Sequence, residues 1–208
     1  SATVITPEAQ CPPVLSDGID RSIREFMARP PFCYRSLSHS DLDTLRCAFT
    51  HDSFSNEARD VDPSCSVPSY ERLEFLGDSV LEFLVCERVY RETDLEEGSM
   101  TDYKQSVVAN RSISERILES GLGLDDMILV GHGHRDPHTG ANRIEEGMRA
   151  DVFEALIAAV YLLKGMDETR RIVREVLLEP TALPAEGRRI RGSQALRAEA
   201  PRRSSMLF

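Results

Sequence analysis

The chain has 208 residues, 41% hydrophobic and 29% charged, with a formal net charge of −10. That length suits one domain with tails and a core that needs no covalent staples. The composition excludes a membrane span, because the longest apolar run, Ala155 to Leu163, is far shorter than the roughly 20 residues required. The acidic balance argues, by itself, against nucleic-acid binding, since phosphate contacts draw on Lys and Arg.

Residues 1–34 read as an N-terminal arm. Pro7, Pro12 and Pro13 interrupt its start, and a short helix at Arg21–Met27 stops at Pro30-Pro31. Ser40 with Asp43 three residues on predicts a helix start ahead of Leu45, Ala48 and Phe49. Residues 52–69, rich in Asp, Ser and Pro, read as a loop. A long helix is predicted from about Tyr70 to Glu92, with Leu73, Leu76, Val80, Leu81, Leu84 and Val85 at helical spacing. A second helix is predicted over Thr101–Ser120, ended by Gly121-Leu-Gly. Gly131 to Gly147 reads as an exposed loop. Two more helices are predicted, Arg149–Lys164 and Asp167–Leu178. From Ala185 onward six Arg stand against two Glu, so residues 181–208 read as a basic tail. With few alternating runs, the fold class is all-α.

The five cysteines are odd in number, widely spaced and without a CxxC pair. They read as reduced thiols of an intracellular protein, not as a zinc site or disulfide framework. No basic segment leading into an apolar core marks the N-terminus as a secretory signal.

The chemistry lies in misplaced carboxylates. Glu71, Glu74 and Asp78 share one face of the long helix, and Glu82 continues it. Two carboxylates about 5 Å apart repel by about 3 kcal/mol at an effective dielectric near 20. The stripe reads two ways, as a solvated face or as a set of cation ligands. Asp151 and Glu154 are also three apart, at the head of the apolar Ala155-Leu-Ile-Ala-Ala-Val run. They either offset the helix dipole or ligate a cation. Brought together, the two sets form an all-oxygen site suited to Mg²⁺, Mn²⁺ or Ca²⁺ rather than zinc or copper, and Mg²⁺ would point to phosphoester chemistry.

Tyr70-Glu-Arg-Leu-Glu-Phe-Leu-Gly-Asp-Ser-Val-Leu resembles the signature helix of the ribonuclease III family. Phe49-Thr-His-Asp-Ser, Glu97-Gly-Ser-Met-Thr, Val107-Val-Ala-Asn and the Leu122 to Gly133 stretch resemble its other segments in order. Arg149-Ala-Asp-Val-Phe-Glu-Ala-Leu resembles its second acidic helix. The resemblance covers roughly residues 35–178 and implies an endonuclease domain over 35–180 that dimerises through the signature helix. It implies that Glu74, Asp78, Asp151 and Glu154 hold metal, with Asp78 and Glu154 catalytic. Glu71 would support metal or product handling, and Phe75 would insert into a socket on the partner; plain core packing is its other reading. The implied activity is Mg²⁺-dependent cleavage of double-stranded RNA to 5′-phosphate and 3′-hydroxyl ends, with Mn²⁺ able to substitute. Implied partners are the RNA, a second copy or a ribonuclease III-like heterodimer partner, and no membrane. The alternative is a non-catalytic scaffold of the same family, which has no need for acids that repel one another.

The sequence departs from the family pattern at Ala158 and Leu163 and in a longer His51–Tyr70 segment. The residues after 178 are too few for the RNA-binding domain common in the family. Either that domain belongs to a longer protein of which this sequence is a part, or RNA affinity comes from elsewhere, with the Arg188–Arg203 stretch and an RNA-binding partner protein as the candidates. His132, His134 and His138 read as solvated loop residues before metal ligands, and His51 as a structural hydrogen-bonding residue before a catalytic one. Lys104 has two readings, a phosphate contact or an ion-pair partner.

Overall fold

The computed structural model describes residues 13–64 and 66–184; the Arg188–Arg203 stretch lies outside them. Among the described residues the architecture is all-α, with two isolated bridges and no strand. The helices are α1 (Pro13–Ala28), α2 (His39–Phe49), α3 (Asp52–Val61), α4 (Glu71–Glu92), α5 (Glu97–Val108), α6 (Asn110–Glu119), α7 (Glu146–Lys164) and α8 (Met166–Val173). A π-helical turn, Arg174–Leu178, extends α8.

The axis of the fold is α7. Every residue from Val152 to Val160 is buried. A helix apolar on all sides must be enclosed, and α2, α4, α6 and α8 enclose it. Ala150, Ala155, Ala158 and Ala159 let the neighbours come close, while Phe153 and Leu156 fill the space between. Each such large side chain contributes about 1.5–3 kcal/mol by leaving water. α4 is two-sided instead. Val80, Leu81, Leu84, Val85 and Val89 are buried, and Phe75, Asp78, Ser79, Phe83, Cys86 and Tyr90 are exposed.

Four expectations change. The predicted short helix at Arg21–Met27 extends from Pro13 to Ala28, and Ile23, Phe26 and Met27 are in the common core. α2 is capped by Ser38, not Ser40: Ser38 Oγ accepts from Asp41 N at 3.1 Å and Ser38 N donates to Asp41 Oδ2 at 2.9 Å. Both serines precede an Asp by three, but only the earlier frame places buried Leu37 before the cap and buried Leu42 one turn inside.

The loop predicted over 52–69 contains α3. Ser55 is its one buried residue, so it has no apolar stripe to read. Polar links hold it instead. His51 Nδ1 accepts from Ser53 N at 3.2 Å as the cap, and Gly131 N donates to Ser53 Oγ at 3.0 Å. His132 N donates to Glu57 Oε1 at 2.6 Å. The helix predicted over Thr101–Ser120 is two helices, α5 and α6, broken at Ala109, whose backbone is extended. α5 packs on α4 through Tyr103 and Val107, whereas α6 packs on α7 through Ile113 and Ile117. One straight helix cannot follow both neighbours.

Candidate metal-binding active site

The site forms where α4 crosses α7, and Gly77 sets the closeness of that crossing. A Cβ on Gly77 would stand 1.8 Å from the carbonyl oxygen of Glu154. Only a residue without a side chain permits this backbone contact, which brings the acids of α4 beside those of α7. The first turn of α7 is anchored independently. The buried Arg149 guanidinium donates to Asp125 Oδ1 at 2.7 Å and Oδ2 at 2.6 Å, and to Ser114 Oγ at 2.7 Å. A fork paired on both oxygens fixes orientation as well as charge. Asp151 follows two residues later.

Glu74, Asp151 and Glu154 each offer a carboxylate oxygen, and these atoms all lie within 4.8 Å of one another. Glu154 is buried, while Glu74 and Asp151 are half-buried. Among the described residues, no Lys or Arg forms an ion pair with any of the three. Asp78 stands outside this tight group. Its charge still acts on Glu154. Glu71 sits on the exposed first turn of α4, where Ser69 Oγ donates to its carboxylate at 3.1 Å. Glu82 accepts from Lys104 Nζ at 3.4 Å, so Lys104 takes its ion-pair reading.

The electrostatics follow from this packing. Burial, then the charges of Asp78, Asp151, Glu74 and Glu82, push the Glu154 carboxyl up to about 8. Glu74 is raised by burial and by Asp151, Glu71 and Asp78. Asp78 is raised by burial and Glu82, an effect Lys104 opposes. Burial also raises Asp151, against the lowering influence of a hydrogen bond from Tyr70 and of His51. A cluster in which Glu74, Asp78, Asp151 and Glu154 all resist ionisation is one that a divalent cation would stabilise. The donors are all oxygen, the set preferred by Mg²⁺ and Mn²⁺. The residues present therefore fit such an ion.

Phe75 is 78% exposed, so its core-packing reading fails. Phe83 and Tyr90 continue an exposed aromatic row along the same helix, and a groove between α4 and α5 adjoins it, lined by Cys86, Met100 and Thr101 among others. His132 Nδ1 lies 2.7 Å from Glu57 Oε2, and the His134 ring packs edge-on to His51 at 5.0 Å. Neither joins a metal-spaced group among the described residues. Sequence reasoning passed over Gly77 and Tyr70 as individual residues. A glycine inside a helical pattern is the available signal for close backbone approach.

An all-helical domain with an all-oxygen carboxylate cluster at a helix crossing has the chemistry of a candidate divalent-cation site. The particular family follows from comparison. The Ribonuclease-III-like family matches residues 41–181. The chain belongs to the ribonuclease III family. It is 35% identical over 170 residues to Ribonuclease 3 of Rhodopirellula baltica, covering 80% of this chain and 59% of that protein. To Ribonuclease 3 of Thermobifida fusca it is 38% identical over 146 residues, 70% of this chain and 56% of that one. The chain thus spans well under two thirds of these relatives. A solved nuclease domain of ribonuclease III from Campylobacter jejuni aligns with TM-score 0.55 at 26% identity, covering 69% of this chain and 90% of that one. That study concerns a region involved in dimer formation of the Campylobacter domain. A second structure of the same domain aligns with TM-score 0.58 at 22% identity over 79% and 97%, a likeness of fold.

Proposed function

We propose that this chain is a Mg²⁺-dependent endoribonuclease that cleaves double-stranded RNA to 5′-phosphate and 3′-hydroxyl ends. The observation that carries the reading is the convergence of Glu74, Asp151 and Glu154 within 4.8 Å on a ribonuclease III fold. These three residues would hold the ion, with Asp78 beside them completing the negative site. Mg²⁺ in such a site supplies an acidified water and positive charge opposite a phosphate, and Mn²⁺ can substitute. Glu154 is the most buried of the three, and its charged form is the one a cation would favour most. Glu71, on the rim, is assigned to metal or product handling. The buried wall of α7 keeps the cluster rigid, so little reorganisation accompanies charge development.

The unit proposed is an endonuclease domain of residues 35–180, with α1 of the preceding arm packed into its core, acting as a dimer with a second copy or a ribonuclease III-like partner. Phe75 at the start of the α4 row is the proposed contact, and the α4–α5 groove is the surface that would receive its counterpart. The net charge of −10 is concentrated in part in the acid cluster, which bound cations neutralise.

The test is cleavage of a labelled RNA duplex with Mg²⁺ by the wild type and by Glu154→Gln. The wild type is expected to cut and the variant to lose about 10²–10³ in rate, the scale for removing one transition-state stabiliser. A wild type that neither cuts nor binds the duplex with Ca²⁺ would transfer the chain to the scaffold class.

A further inference from the structure

The acids of the site sit on two helices, and one residue touches both. Tyr70 immediately precedes α4, and its side chain is 6% exposed. Its backbone carbonyl accepts from Leu73 N at 2.8 Å and from Glu74 N at 2.9 Å, which fixes the turn carrying Glu74. Its own N donates to Thr50 O at 2.9 Å. Its phenol O–H crosses to α7 and donates to Asp151 Oδ2 at 3.3 Å, a long bond. The ring is braced from behind. His51 lies 5.7 Å from it, and His134 packs edge-on to His51 at 5.0 Å. His51 is itself held by its bond from Ser53 N at the start of α3.

We infer that Tyr70 is a positioning residue: its hydroxyl orients the Asp151 carboxylate toward Glu74 and Glu154, and so sets the affinity of the site for a divalent cation. The inference rests on the metal-site reading above. A carboxylate has two oxygens, so a phenol donor and a cation can share it. Hydrogen bonds from outside the ligand set hold ligands in place, and losing one typically weakens metal binding by about 10–100-fold. Asp151 needs such a brace more than Glu154 does. It is only half-buried, and no Lys or Arg among the described residues pairs with it. A Phe at position 70 keeps the ring against His51 and keeps every backbone bond, and removes only the donor.

The experiment is calorimetric titration of the RNA-free protein with Mn²⁺, for wild type, Tyr70→Phe and Glu154→Gln, beside a thermal melt of each metal-free protein. Tyr70→Phe is expected to bind Mn²⁺ about tenfold more weakly with an unchanged melt. In cleavage assays the Mn²⁺ concentration for half-maximal rate should rise by the same factor, while the rate at saturating Mn²⁺ returns to that of wild type. Wild-type binding with an unchanged Tyr70→Phe affinity would overturn the role of Tyr70 and leave the metal site standing. Absence of Mn²⁺ binding to the wild type would overturn both together. A lowered melt with unaltered Mn²⁺ affinity would make Tyr70 a packing residue only.

Discussion

At Glu154, burial and the neighbouring acids act in one direction, and the consequence is a pH dependence opposite to that of most carboxylates. The folded protein holds the proton up to about 8, whereas the ordinary value is 4.5. Between those values the native state binds more protons than the unfolded state, so stability falls as pH rises. The metal-free melting temperature is therefore expected to decline as pH rises from about 4.5 to about 8 and to level off above it. Saturating Mg²⁺ should remove most of that decline, because a ligand bound only to the native state stabilises it. Glu154→Gln should make the decline shallower without any cation, the remainder coming from Glu74, Asp78 and Asp151, which are also raised. Scanning calorimetry across this range, with and without Mg²⁺, checks all three. A flat wild-type profile would mean that Glu154 is more solvated than its packing indicates.

Among the elements, the α4–α7 crossing governs the site. Two effects oppose each other in Gly77→Ala. Alanine is the better helix former, by about 0.5–1 kcal/mol. Its Cβ, however, meets a backbone oxygen at 1.8 Å, and backbone cannot rotate away as a side chain does. Overpacking of this kind costs about 1–3 kcal/mol and sometimes more, so the clash wins. Gly77→Ala is expected to lower unfolding free energy and, by moving α4 off α7, to weaken Mn²⁺ binding as well. Denaturant unfolding together with a Mn²⁺ titration separates the two losses. A neutral or stabilising result would show that the helices cross more loosely. The polar attachments of α3 place His51 at the edge of the same crossing, and so α3 belongs to the site's frame although it contributes no ligand.

For the whole molecule, the exposed row of Phe75, Phe83 and Tyr90 on α4 matters most. Isolated exposed apolar residues are ordinary, but a row beside a groove marks an interaction face. Phe75→Glu should leave the fold intact, since the ring is 78% exposed in the single chain. It should weaken self-association by about thirtyfold or more, the equivalent of a hot spot worth ~2 kcal/mol. Sedimentation velocity over a concentration series measures this. If wild type and variant are both monomers at every concentration, the α4 face serves a different partner.

The sequence by itself determined the class of the fold, the long helix after Tyr70 and the enclosed helix around Phe153, and it singled out the acids proposed as metal ligands. Period and composition are local properties, and α7 is so uniformly apolar that only enclosure suits it. The motif order likewise brought Glu74, Asp78, Asp151 and Glu154 together as a set. Tertiary structure decided the rest. It drew Glu74, Asp151 and Glu154 into one group and left Asp78 just outside it, because ligand distances depend on how deeply two helices approach. It made α3 a helix through bonds to residues nearly eighty positions away, which no local window contains. It split the predicted helix at Ala109, because α4 and α7 each claim one half. It also gave Tyr70 its place between two helices, since a hydrogen bond spanning 81 residues exists only once the chain has folded.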